Sequence, residues 1–258
     1  MATTGRMKRR LIGMLQKRIG EVRLDEVPDS REPAPGPARL DAAGAPVWAH
    51  EFTGYYSFGL GADPTGGVTY MQGLPSSPEW FGTLVHRNAG GAVTWQLERD
   101  FQATQDIVAD ELGHVVVISR CTQDPSQVDP DVCLWAFSDK GEELWKAQLH
   151  DPELGLQHQG TSLRGDRLLL TAILTYTPPP EEMLVEQALD LFELDLNTGE
   201  VRSRHTVATG SIDFAGAPAL LDGDLVVSGS FGGTVDFGIG TLVSDAGGDA
   251  FVAKLPWP

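Results

Sequence analysis

Glycine, three residues and tryptophan recur along this chain: Gly44-Ala45-Pro46-Val47-Trp48, Gly91-Ala92-Val93-Thr94-Trp95 and Gly141-Glu142-Glu143-Leu144-Trp145. A fourth copy, Gly199-Glu200-Val201-Arg202-Ser203, keeps the glycine and replaces the indole with a hydroxyl. Successive glycines lie 47, 50 and 58 residues apart. A period in that range marks a repeat architecture built from four-strand units.

The rest of the chain repeats as well. Each unit opens with a short apolar strand, an Asp/Gly turn and a β-branched strand, as in Ile107-Val108-Ala109-Asp110-Glu111-Leu112-Gly113-His114-Val115-Val116-Val117-Ile118. Turn positions of this kind take residues that tolerate positive φ or bond their own backbone. A variable loop and the Gly-x-x-x-Trp hairpin follow. With the four strands named A to D, A, B and D each occur four times and C five times, the last at Asp249-Ala250-Phe251-Val252-Ala253-Lys254-Leu255. The last unit therefore has no D of its own, and the first D, Pro46 to Phe52, has no A or B before it. The expected fold is an all-β propeller of four blades, each of four antiparallel strands. The N-terminal D strand completes the C-terminal blade, a closure that removes an open sheet edge.

Composition narrows the function classes. Residues 1–23 hold seven of the 19 Lys and Arg and one acid, leaving 12 bases against 35 acids, a net of −23, in the remainder. Nucleic-acid binding rests on Lys and Arg neutralising phosphates, so nucleic acid is a poor partner. No stretch approaches the ~18 apolar residues of a membrane span. Leu11, Leu15, Ile19 and Val22 place an amphipathic basic helix over residues 6–23. Four prolines in residues 28–37 read as a linker. Residues 1–37 are thus expected to stand outside a propeller spanning 38–258. The apolar run Leu11 to Leu15 is too short for a signal peptide, and residues 1–36 read as a truncated or misassigned start.

Two families share these motifs. Gly-x-x-x-Trp after an Asn-Thr-Gly turn, as at Leu194-Asp195-Leu196-Asn197-Thr198-Gly199-Glu200, resembles the blades of PQQ-like propellers. The final unit, Gly229 to Gly238 and Gly247 to Leu255, resembles the SBBP-type β-propeller repeats of bacterial secreted proteins and lipoproteins. The first resemblance implies that Trp48, Trp95 and Trp145 wedge between neighbouring sheets, with a weaker seam at Ser203. The quinone and metal site of the larger enzymes has no counterpart here. The second resemblance implies an extracytoplasmic chain: periplasmic, cell-surface or secreted.

Cys121 and Cys133 flank an eleven-residue loop between antiparallel neighbours, and a disulfide in an oxidising compartment is expected there, the alternative being two unpaired small apolar residues. His150 and His158 flank an acidic stretch where zinc is imaginable, but nothing fixes tetrahedral geometry and they are expected to be solvated loop residues. His86, His114 and His205 read as surface groups. Asp124, Asp129 and Asp131, and Asp195, Asn197 and Glu200, could hold Ca²⁺, although turn chemistry accounts for them without an ion. No cofactor is expected beyond that possible calcium.

In a propeller the D-to-A connections gather at one rim of the channel. Tyr55, Tyr56, Gln105, Asp106, His158, Gln159, Asp213 and Phe214 would meet there, as a pocket for a small polar ligand or as a plug. The expected function is a non-catalytic binding or interaction scaffold, monomeric, whose partner is a protein or a small polar ligand such as a carbohydrate. One alternative is a hydrolase or lyase at the channel mouth using Asp106, His158 and Asp213. The other is a carbohydrate- or calcium-binding module.

Overall fold

The computed structural model describes residues 34–52, 57–73, 82–99, 101, 104–121, 131–151, 154–175, 187–245 and 247–257. The basic helix expected over 6–23, Tyr55, Tyr56, Asp124 and Asp129 lie outside them. Residues 34–258 form one compact unit. The described residues are all β, without a helix, and their sheets are antiparallel.

The first four-strand sheet runs β3 (Ser57–Ala62), β4 (Val68–Gly73), β5 (Gly82–Arg87), β6 (Val93–Arg99). The second runs β7 (Asp106–Ala109), β8 (Val115–Arg120), β9 (Val132–Phe137), β10 (Glu143–Leu149). The third begins β11 (Gly155–Arg164), β12 (Arg167–Thr175), β13 (Gln187–Asp195), β14 (Val201–Ala215) and does not stop there. Thr209 to Ala215 of β14 pairs with β16 (Asp224–Asp236), which also carries β15 (Ala219–Leu221), β17 (Thr241–Val243) and β18 (Asp249–Pro256). The third and fourth units therefore share one eight-stranded sheet.

One turn chemistry shapes most of the hairpins. Asp41, Asp63, Asn88, Asp110 and Ser138 each accept the backbone N–H groups two and four residues on. The glycine three residues on, at 44, 66, 91, 113 and 141, has φ between 80° and 86°. A side chain pays ~1–2 kcal/mol there, which is why glycine recurs.

The tryptophans use these turns as seats. Trp48 Nε1 donates to Ala89 O (3.1 Å), Trp95 Nε1 to Asp139 O (2.9 Å) and Trp145 Nε1 to Leu196 O (2.8 Å). Each ring also covers the turn glycine of the next unit. A β-carbon on Gly91, Gly141 or Gly199 would lie 2.9, 2.9 or 2.5 Å from the Trp48, Trp95 or Trp145 ring. Repeat n is thus latched to repeat n+1 by an indole that bonds a carbonyl and lies on a residue without a side chain.

Sheets two and three are packed on both faces, so their central strands are apolar without alternation. Val115 and Val117 of β8 face Met71, Leu84 and Ile107, whereas Val116 and Ile118 face Leu156, Leu168 and Leu170. On β12, Leu168 and Leu170 face the second sheet, whereas Leu169 and Ile173 face Leu225, Val227 and Phe251 of the fourth unit.

Three expectations need correction. β2 (Pro46–Phe52) pairs with β1 (Ala34–Leu40) and not with β18, so the closure between chain ends is not formed. A hairpin through the five-residue Asp41–Ala45 turn closes a short loop, whereas end-to-end pairing closes nearly the whole chain. The described fold begins at Ala34, inside the expected linker. Pro35 and Pro37 are tolerated because β1 is an edge strand whose outer side needs no donors. The Ser203 seam is not left bare: β14 crosses it as one strand, and Trp257 packs edge-on against His205, with centroids 5.4 Å apart. The disulfide joins Cys121 and Cys133 as expected, with Cα atoms 5.0 Å apart.

Candidate functional site

The first strands of the four units lie side by side. Gly59 and Gly61 of β3 press on Ile107 of β7, where a β-carbon would come within 3.0 Å of the Ile107 side chain. β7 meets β11 through Asp106, whose carboxylate takes hydrogen bonds from the Thr161 hydroxyl and N–H. β11 meets β14 through Gln159 Oε1, which accepts from Ala215 N–H (3.2 Å). Thr171 Oγ1 bridges this join, within 3.2 Å of Gly160 O and 3.0 Å of Gly216 O.

A bulge makes the middle contact possible. His158 stands opposite Ala172 and Gly160 opposite Thr171, so Gln159 is an extra residue in β11. The extra residue shifts the alternation by one and puts His158 and Thr161 on the same side. His158 Nε2 then lies 2.7 Å from Thr161 Oγ1 and 4.0 Å from Asp106 Oδ2. The Thr161 hydroxyl donates to Asp106, so its oxygen accepts from His158 Nε2–H, and Nδ1 is left without the proton. The three side chains form one line of hydrogen bonds, His158 to Thr161 to Asp106.

Burial sets the protonation of both ends. His158 is 8% exposed, and burial pushes its pKa down to about 4, so it is neutral at pH 7. Burial raises the Asp106 carboxyl above its ordinary value, against the bonds from Ile107 N–H and Thr161. The Asp106 side chain keeps 29% of its surface in solvent while His158 keeps 4%. Asp106 is therefore the member that an outside molecule can touch. The two residues that precede it in sequence carry unused polar atoms: Thr104 Oγ1, on a residue 5% exposed, and Gln105 Oε1 are buried without a hydrogen-bond partner among the described residues. A buried hydroxyl or amide oxygen without a partner costs ~1–3 kcal/mol, a debt that a ligand's polar group can cancel.

Of the expected rim residues, Asp106 and His158 meet here, whereas Gln159 lies at the next join, against Ala215. Asp213 and Phe214 are exposed on β14, with the Asp213 carboxylate near Gly232 and Gly248, away from the His158–Thr161–Asp106 line of hydrogen bonds. Thr104 and Thr161 were missed. Thr161 could have been found from its spacing to His158 only by anticipating the bulge.

The histidines also depart from expectation. His86 is buried, stacked on Trp95 at 5.2 Å, with Nδ1 2.8 Å from Thr69 Oγ1 and Nε2 3.8 Å from Asp63. His158 is a core residue and not a solvated loop. His150 is exposed and bonds Asp131 (2.6 Å), apart from His158. Among the described residues no three His, Cys, Asp or Glu side chains converge as ion ligands, and no helix is long and apolar enough to cross a membrane.

No protein-family model matches the chain, and no curated protein matches it. Solved structures similar to it include a lignostilbene dioxygenase of Pseudomonas brassicacearum, at 13% identity and a TM-score of 0.46, over 79% of this chain and 54% of that one. A Synechocystis apocarotenoid oxygenase mutant aligns at 12% identity and a TM-score of 0.45, over 86% and 56%. A gluconolactonase from Xanthomonas campestris aligns at 12% and 0.42, over 80% and 65%. The chain thus spans little more than half the length of the two oxygenases. The expectation of a non-catalytic scaffold is not supported: the dioxygenase, the apocarotenoid oxygenase and the gluconolactonase are enzymes. Likeness at this level does not carry any one activity over to this chain.

Proposed function

We propose that the chain is an acid–base enzyme of hydrolase or lyase type, with Asp106 as the proton-transfer group and a small polar molecule as substrate. A general acid works best when its pKa lies near the working pH, and burial moves Asp106 in that direction. Thr161 and neutral His158 hold the carboxylate in one orientation, and Thr104 and Gln105 supply the polar atoms that grip the substrate. The observation that carries this reading is the solvent-reachable Asp106 carboxylate of raised pKa at the end of the hydrogen-bond line through Thr161 to buried His158. The Cys121–Cys133 disulfide supports an extracytoplasmic location.

The test is a thermal-shift screen of wild type and Asp106→Asn against neutral sugars, sugar lactones and short hydroxy acids, followed by a turnover assay on any hit. We expect at least one compound to raise the wild-type Tm and to be consumed. Asp106→Asn keeps the shape of the site and should lose turnover by at least ~100-fold, the lower range of a general acid–base contribution. Equal turnover by both proteins, or no response to any compound, would contradict the reading.

A further inference from the structure

β18 is a third strand without a fourth. Its counterparts β5, β9 and β13 each have a neighbour on both sides, whereas β18 pairs with β16 alone among the described residues. The last sheet is also covered on one face only. All six residues of β9 are buried, whereas β18 alternates and leaves Val252 77% exposed.

β2 is the complementary case, an outer strand whose sheet is not complete. It pairs with β1 in the register the other hairpins use. Trp48 stands opposite Arg39, as Trp95 stands opposite His86 and Trp145 opposite Ala136. β1 therefore occupies the edge of β2 that a strand of the β5, β9 and β18 kind would take. Its hold is poor. Pro35 and Pro37 offer no N–H, and the ladder breaks register twice in seven residues. β18 is eight residues long, pairs with β16 without a register shift, and has its only proline at the end.

We propose that β18 is a docking edge for the β2 strand of a second copy of this chain, which leaves β1 and completes the fourth sheet. This inference is independent of the proposed activity. The occupant follows from the inventory of strands. β6, β10 and β14 are already fixed in the first three sheets, so β2 is the remaining described strand of that pattern. Trp48 holds β2 on the first sheet through Ala89 O, and none of β15 to β18 pairs with β1 to β6. Since β18 pairs with none of β1 to β6 within the chain, the β18 that meets β2 is taken from a neighbour. The contact is head-to-tail, joining the last unit of one copy to the first of the next.

In the register of β9 with β10, where Lys146 faces Trp135, Ala49 of one copy faces Ala253 of the other. The native cysteines are bonded to each other, so single added cysteines report without interference. Full-length Ala49→Cys and Ala253→Cys proteins are mixed, oxidised and run without reductant, and untagged wild type is followed by light scattering over a range of concentration. The expected result is a mixed disulfide dimer and a wild-type mass that rises with concentration. Val252→Lys on the Ala253→Cys background should lower the dimer yield by about tenfold. A wild type that stays monomeric throughout, absence of the mixed dimer, or a combined Ala49→Cys/Ala253→Cys variant that links only within one chain would each overturn the proposal.

Discussion

The seam between the second and third sheets and the seam between the third and fourth units solve one problem in two ways. At the first, two separate sheets meet face to face, and side chains do the joining. Trp145 latches the outer end on Gly199 and Leu196 O, Leu168 and Leu170 fill the middle, and Asp106, Thr161 and His158 close the inner end. At the second, β14 passes through the seam as one strand of 15 residues, so backbone hydrogen bonds carry the join. That seam manages with Ser203 in the indole position. Its inner end is tied by the uncharged Gln159 and Thr171. An ionisable cluster thus sits where the backbone does not hold the units together, which is also where a site can respond to a ligand.

The largest difference should come from the indoles. Trp145→Ala removes a buried ring and its bond to Leu196 O, and we expect a loss of ~3–5 kcal/mol in denaturant unfolding. Trp257→Ala, at the seam held by backbone, should cost less than half as much. Equal losses would break the comparison.

The inner ends should differ in their response to acid. His158 has a folded pKa of about 4 against an unfolded value near 6.5. Its burial as a neutral group therefore contributes stability that is present above pH 6.5 and is lost as pH falls towards 4. A shift of this size amounts to ~3 kcal/mol. His158→Gln should remove that part of the acid loss and flatten the stability curve between pH 6.5 and 4. Gln159→Leu, at the other seam, should leave the slope unchanged.

The smallest effect separates a covered turn from an uncovered one. Gly199→Ala forces a β-carbon to 2.5 Å from Trp145 at a φ of +74°, whereas Gly44 has nothing within 4 Å among the described residues at a φ of +83°. Both substitutions strain the backbone by ~1–2 kcal/mol. Only Gly199→Ala should add the ~1–3 kcal/mol of overpacking. A Tm difference between the two variants would sharpen the latch geometry, and none would argue against it.

Much of this was legible in the residues. The Gly-x-x-x-Trp spacing located three of the four D-type hairpins and the glycine alone the fourth, and the unbroken apolar runs Val115 to Ile118 and Leu168 to Leu170 marked sheets packed on both faces. The fourth unit gave its own sign. Ser228, Gly232 and Thr234 alternate with Val227, Phe231 and Val235, the pattern of a sheet with one wet face. Pairing of the chain ends was not legible, because Pro46 to Phe52 suits any strand of the C type and the sequence holds five. The site was half legible. Asp106 and His158 were both named from their place in the repeat, but their contact depends on the bulge at Gln159, and no local pattern at 157–161 announces an extra residue.

The titration of Asp106 bears most directly on the proposed chemistry. Carbon-13 NMR of the aspartate carboxyl carbons, assigned with Asp106→Asn, gives its pKa in the intact chain. Asp106 is expected to titrate above 3.8, and higher still in Thr161→Val, which removes a hydrogen bond that favours the charged form. A value at or below 3.8, unmoved by Thr161→Val, would make Asp106 an ordinary carboxylate and contradict the acid–base centre.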